Sequence, residues 1–202
     1  MKTLFQDNPE ALREAVETLR AGGVLALPTE TVYGLACRWD DAAARERIYR
    51  LKHRPQQKLL QMLAADLPQA AAFGVTVTSL LERLAAVFWP GPLTAVVPAI
   101  GAYPTIGLRL PDHPFVQALL RESGLALAAT SANLSGEPPA TTISDATAHL
   151  DGEPDLAIDG GVISVTGGKA STVVSLLNEA PSLLREGTIT LNDIQNALKE
   201  RP

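Results

Sequence analysis

Apolar residues recur at helical spacing in several stretches of the chain, separated by short blocks that are continuously apolar. The first helix is expected over residues 8–20, where Leu12, Ala15, Val16 and Leu19 share a face, Asn8 can cap the start, Pro9 suits the first turn and Gly22-Gly23 ends it. Val24 to Leu27 reads as a buried strand stopped by Pro28, and PTETVYGLAC at 28–37 as a polar loop re-entering apolar sequence. Asp41 caps a second helix whose Ala44, Ile48 and Leu51 face the core, and Pro55 disfavours helix at Arg54, so this helix ends near Lys52 or His53. Beyond it the chain is expected to run extended, putting Lys52, Arg54 and Lys58 on one side by parity. Further helices are expected over 80–88, from 112–114 to 120, over 142–150 and over 191–200. Short strands are expected over 59–64, 93–97, 106–110, 125–129, 156–159, 172–177 and 183–184. Helices and strands interleave, with several direct strand-to-strand steps, so the expected fold is one α/β domain over 1–202 built on a mixed sheet.

Composition narrows the chemistry. Hydrophobic residues are 46% and aromatics only 4%, so the core is aliphatic. The single cysteine, Cys37, allows no intrachain disulfide and no Cys-rich metal site, and His53, His113 and His149 are too scattered for a zinc site. The start lacks the apolar core and cleavage pattern of a secretion signal, and no apolar run approaches the ~20 residues of a membrane span, so a soluble cytoplasmic chain is expected. There is no G-x-S-x-G, H-E-x-x-H or G-x-G-x-x-G, and the run Gly167 to Ser171 fails as a phosphate loop because Ile163 stands where the first glycine is required.

Charge changes the picture more. The chain is net −5, yet the stretch from Arg45 to Lys58 is net +5, leaving −10 elsewhere. Cations gathered on an acidic chain suit an anionic partner, although a solvated basic helix face gives the same pattern. Polar clusters stand at strand ends: Thr29-Glu30-Thr31, Lys52/Arg54/Lys58, Arg109, Ser131/Asn133, Ser171-Thr172 and Arg185. Strand ends are where open α/β sheets hold ligands, and also where turn chemistry favours such residues. Arg109 and Arg185 each end an apolar run and need an anionic partner: an acid such as Asp112 or Glu186, or a ligand with several negative groups such as polyphosphate.

The segments LPTETVYGLAC, LKHRPQQK, FWPGPLTAVVP, LRLPDHP, ATSANLSGEPPATT, AIDGG and STVVSLLNEAPSLLREG together resemble the YrdC/TsaC family of threonylcarbamoyl-adenylate synthases over nearly the whole chain. The resemblance implies a twisted α/β sheet with flanking helices and a positively charged cavity, and, with the chain ending at Pro202, no extra C-terminal domain. It implies formation of threonylcarbamoyl-AMP and pyrophosphate from L-threonine, bicarbonate and ATP, with Mg²⁺ carried on the phosphates rather than by protein side chains. Other proteins would use the adenylate to modify tRNA adenosine. The family's K-x-R and S-x-N sets fall here on Lys52 and Arg54 and on Ser131 and Asn133, the implied catalytic positions. ATP is implied to meet Lys52, Arg54, Lys58, Thr105 and Arg185, and threonine to meet Thr29, Arg109, Ser131 and Ser171. The sequence departs from the family pattern at Leu59, Pro139-Ala140 and Ala170. The competing reading is a double-stranded-RNA-binding module of the same fold, with Arg45, Arg47 and Arg50 as the solvated face of their helix; the acidic total and the shortage of aromatics for stacking weigh against it. A third is a carbamoyl-adenylate former with another acceptor.

Overall fold

In the computed structural model, which describes residues 1–164 and 169–199, the strands form one ten-stranded mixed sheet. In chain order they are β1 (Lys2–Phe5), β2 (Leu25–Leu27), β3 (Gly34–Arg38), β4 (Gln61–Leu63), β5 (Leu93–Pro98), β6 (Thr105–Arg109), β7 (Leu127–Ser131), β8 (Leu156–Asp159), β9 (Thr172–Ser175) and β10 (Ser182–Arg185). Across the sheet the order is β1-β8-β2-β3-β7-β4-β6-β5-β9-β10. The helices are α1 (Ala11–Arg20), α2 (Ala42–Leu51), α3 (Leu67–Ala72), α4 (Ser79–Phe88), α5 (Pro114–Ser123), α6 (Ile143–Ala148) and α7 (Leu191–Lys199).

Most helices start where side-chain chemistry starts them. Asp41 Oδ1 accepts from Ala44 N–H at 2.9 Å, Thr78 Oγ1 from Leu81 N–H at 3.2 Å and Thr142 Oγ1 from Asp145 N–H at 3.1 Å, each satisfying a donor that the first helical turn leaves open. Asn8 acts one turn earlier than expected: its Oδ1 holds Glu10 N–H at 2.9 Å in a turn, and the helix proper begins at Ala11. Gly124 ends α5 at φ +69°, a conformation glycine adopts without a Cβ clash. The expected closing helix runs to Lys199; Glu200, like Gly167 and Gly168 of the rejected phosphate loop, lies outside the described residues.

The sheet buries three apolar clusters. On one face α1 and α5 cover the half around β8, β2, β3 and β7, burying Leu19, Leu25, Leu27, Val116, Leu120 and Leu127. On the opposite face α2 and α6 cover that same half over Ala26, Leu35, Ile48 and Ala128, and α3, α4 and α7 cover the other half over Leu81, Leu84, Leu93, Leu108 and Ile194. The helices therefore leave one quarter uncovered, the first face over β4, β6, β5 and β9. Alternation shows it: along β6, Ile106 and Leu108 point into the packed side, while Thr105, Gly107 and Arg109 take the other.

Three elements were not expected from the pattern: β1, β3 and α3. The extended run with common parity after α2 is also absent. Turn hydrogen bonds from Arg54 N–H to Tyr49 O at 2.9 Å and from Lys58 N–H to Pro55 O at 2.9 Å coil the segment, and His53 sits at φ +48°. The three cations consequently point to different places. The basic face of α2 is not uniformly solvated either: Arg47 pairs with Asp155 and donates to Glu153 O at 2.8 Å, Arg45 is half-buried, and Arg50 alone of the three is exposed.

Candidate active site

The uncovered quarter of the sheet is a cavity of about 270 Å³. Its described lining includes Arg54, Gln61, Thr94, Thr105, Ser131 and Arg185, two arginines with no carboxylate. Sheet register brings these together: Gln61, first residue of β4, lies opposite Ala129 of β7, so the loop from Lys52 to Leu60 meets the strand end at Ser131.

Lys52 is the C-cap of α2 and only 1% exposed. Its ammonium donates to the carbonyls of Ser131 and Asn133, so the K-x-R and S-x-N segments are joined through the backbone of the second. Burial, with Arg54 nearby, lowers the Lys52 pKa to about 7. Arg54 folds back on its own loop, Nε to Lys58 O at 2.7 Å and Nη2 to Leu59 O at 2.9 Å, and burial lowers its pKa as well. Lys58 itself is exposed and shapes the site through that carbonyl. Asn133 donates its amide to Leu134 O at 2.7 Å and Glu137 O at 2.9 Å, leaving a buried Oδ1 with no hydrogen-bond partner.

A second group lies along the floor. Arg185 donates to Ser171 O, from Nη2 at 2.9 Å, and to Ser171 Oγ at 3.2 Å; Ser171 Oγ is 2.8 Å from Thr94 Oγ1, which donates to Gln61 Oε1 at 3.0 Å. With Thr94 donating to Gln61, Ser171 must donate to Thr94, so one directed chain runs Arg185, Ser171, Thr94, Gln61. Burial lowers the Arg185 pKa, and Arg109 adds to it. Gln61 and Thr94 were missed from the sequence. Their signal was a polar residue inside an otherwise apolar strand, which means something only once that face is known to be open.

Arg109, 3% exposed, pairs with neither Asp112 nor Glu186 but with Glu30 at 2.6 Å, and donates to Thr31 Oγ1 at 2.9 Å. Thr29 is spent on its loop: its hydroxyl accepts from Thr31 N–H and Val32 N–H, both at 3.2 Å, and donates to Val32 O at 2.7 Å. The loop at 28–33 therefore presents Thr31, rather than Thr29, to Arg109. Gly187 fixes the other side of the floor, because a Cβ there would lie 2.4 Å from Ala170 O and 2.5 Å from Thr172 N. Gly187→Ala should cost about 1–3 kcal/mol, as overpacking does, and displace Ser171 and Arg185; the shift of the urea denaturation midpoint checks the cost.

A family model for Sua5, YciO and YrdC, described as telomere recombination, matches residues 17–187. The chain belongs to the Sua5/YciO/YrdC family. Its curated relatives include the threonylcarbamoyl-AMP synthases of Bacillus subtilis, 38% identical over 93% of this chain and 56% of the relative, and of Pyrococcus abyssi, 35% identical over 94% and 57%. The chain thus spans little more than half the length of these two relatives. The synthase of Vibrio vulnificus is 39% identical over 75% of this chain and 87% of the relative. Among solved structures, P. abyssi Sua5 complexed with L-threonine superposes with a TM-score of 0.89 at 34% identity, over 98% of this chain and 61% of that one. E. coli YciO superposes at 0.83 and 30% identity, over 96% and 98%. The family's twisted mixed sheet with flanking helices is the fold described above. No helix among the described residues is long and apolar enough to cross a membrane.

Proposed function

We propose that the chain is a threonylcarbamoyl-AMP synthase working in the cytoplasm, converting L-threonine, bicarbonate and ATP into threonylcarbamoyl-AMP, pyrophosphate and water. The adenylate would pass to proteins that modify tRNA adenosine. The observation that carries this reading is the convergence of Arg54, Arg185 and the Ser131 strand end, the last held from behind by the buried Lys52, on one cavity lined by hydroxyls and cations. The relatives' names support it, as does the L-threonine in the P. abyssi structure. The threonine amine attacks bicarbonate to give a carbamate and water. A carbamate oxygen then attacks the α-phosphorus of ATP, and pyrophosphate leaves. Such a reaction needs positioning and neutralisation of phosphate charge, which cations and hydroxyls supply. Lys52 and Arg54 would meet phosphate and carbamate charge, with Lys58 and Thr105 at the nucleotide end and Arg185 against the nucleotide. Ser131 and Asn133 would orient the carbamate, with the unpartnered Asn133 Oδ1 open to a donor. Arg109, Thr29 and Ser171 would serve the amino acid, Thr29 by shaping the loop that presents Thr31. Mg²⁺ would arrive on the phosphates of its nucleotide substrate, since it is usually held by one or two carboxylates plus substrate phosphates rather than by an all-protein cage.

Purified protein is expected to release pyrophosphate from ATP only when both threonine and bicarbonate are present. Release indifferent to threonine would overturn the reading, and release supported equally by other amino acids would reassign the acceptor.

A further inference from the structure

Gln61 stands at the middle of the bare sheet face. The register of Met62 with Leu108 and of Leu63 with Arg109 puts it beside Gly107 of β6, and on its other side it lies opposite Ala129 of β7. Gly107 carries no side chain to fill the space between Gln61 and Thr94, where a Cβ would meet their side chains at 3.9 and 3.5 Å. Along β6, Thr105 and Arg109 share that face two residues either side of Gly107, about 7 Å away each at the usual strand rise. Gln61 thus sits midway between the residue placed at the nucleotide and the residue placed at the amino acid. Its amide is half used. Oε1 accepts from Thr94 Oγ1 at 3.0 Å, whereas Nε2 has no partner among the described residues and the side chain lines the cavity. Behind it the chain through Ser171 and Thr94 is headed by the Arg185 guanidinium, and every bond in it points toward Gln61. Each donor in such a chain polarises the next, so the Gln61 N–H is a better donor than that of an isolated amide.

We infer that Gln61 Nε2 donates to the carboxyl group derived from bicarbonate, with Thr94 as the residue that positions the amide; the inference rests on the reaction proposed above. At this midpoint the carbamate on the threonine nitrogen meets the α-phosphorus of ATP. The carbamate carries one negative charge, which it loses when its oxygen bonds to phosphorus and pyrophosphate leaves, so that it becomes the carbonyl side of a mixed anhydride. Lys52 and Arg54 balance charge. Gln61 supplies what they do not, a neutral donor to the oxygen that does not attack, which is a carbamate oxygen before the step and a carbonyl oxygen after it. A neutral donor binds these two states about equally, so it orients the group without holding back the attacking oxygen. Thr94, bonded to Oε1, fixes which way the amide faces and thereby aims its N–H at the cavity.

Steady-state pyrophosphate release with bicarbonate varied, beside calorimetric titration with ATP alone, tests this. Gln61→Met keeps the bulk and removes the donor; kcat/KM for bicarbonate should fall about tenfold, the scale of one hydrogen bond, with ATP affinity unchanged. Gln61→Glu keeps the bond from Thr94 but sets a carboxylate against the carbamate oxygen, and should lose more. Thr94→Val should cost about threefold in the same constant, and Thr94→Ser, which keeps the hydroxyl and drops the methyl, should restore it. A packing role for Thr94 predicts the reverse order of those two variants, and that order would overturn its positioning role. Unchanged kcat/KM for bicarbonate in both Gln61 variants, or a loss of ATP affinity in Gln61→Met as large as its loss of turnover, would overturn the role of Gln61 and leave the proposed reaction standing. A wild type that releases no pyrophosphate with all three substrates present would overturn the reaction itself.

Discussion

Lys52→Met is expected to lower threonine-dependent pyrophosphate release by roughly 10²–10³-fold, the usual scale for removing one preorganised charge-stabilising donor, without loss of the folded state. Methionine keeps most of the side-chain volume in a position that is almost fully buried, and it relieves the desolvation that pushes the Lys52 ammonium down to about 7. Circular dichroism should be unchanged; near-normal turnover would remove Lys52 from the mechanism. The lowered pKa adds a second signature. An anion bound beside Lys52 raises its pKa, so above pH about 7 binding ATP takes up a proton, and ATP affinity falls as pH rises from about 7, by up to tenfold per unit. Lys52→Met should flatten that slope. For the fold itself the sign is opposite to that of an ordinary ion-paired lysine. With the folded pKa near 7 and the unfolded value at 10.5, the unfolded chain holds the extra proton between these limits, so this group's contribution to stability improves as pH rises through that window.

Arg109→Met should destabilise the protein by about 3–5 kcal/mol, because it strands the Glu30 carboxylate in the interior. Glu30 and Arg109 are 2.6 Å apart with little access to water, and both Glu30 oxygens lack any other hydrogen-bond partner. The double variant Glu30→Gln with Arg109→Met removes both charges and should recover a large part of the loss. A urea denaturation series of the two single variants and the double variant measures the coupling directly. Additive effects would mean that the pair is incidental to the fold. Because Arg109 reaches Thr31 at 2.9 Å as well, the loop at 28–33 should lose protection from amide exchange in the single variant.

The amphipathic helices were legible because their information is local. Leu12, Ala15, Val16 and Leu19 define the buried face of α1 whatever they pack on, and Asp41 caps α2 from three residues away. The mixed α/β class followed from the order of the elements, and the family resemblance singled out the K-x-R and S-x-N sets before any geometry. What escaped was non-local. β1 is an exposed edge strand that exists because it pairs with β8, more than 150 residues later, and β3 lies between β2 and β7 inside a segment read as loop. Strand formation there depends on a partner that local propensity cannot supply.

The site divides along the same line. Sequence determined which side chains were available: the cations Lys52, Arg54, Arg109 and Arg185 with their nearby hydroxyls, in a chain otherwise acidic. Tertiary structure decided what each one meets. Turns after α2 send Lys52 inward to two carbonyls and Arg54 across its own loop, where an extended chain would have aligned them. Arg109 found Glu30 rather than a neighbour in sequence, and Arg45 left the solvated face to lie against the rings of Trp39 and Tyr103. Gln61 and Thr94 became polar floor only because the helices leave that quarter of the sheet bare. The physical reason is one of range: helix caps and apolar periodicity act within a few residues, whereas the partner of a buried charge and the exposure of a sheet face are set by segments brought together only when the whole sheet closes.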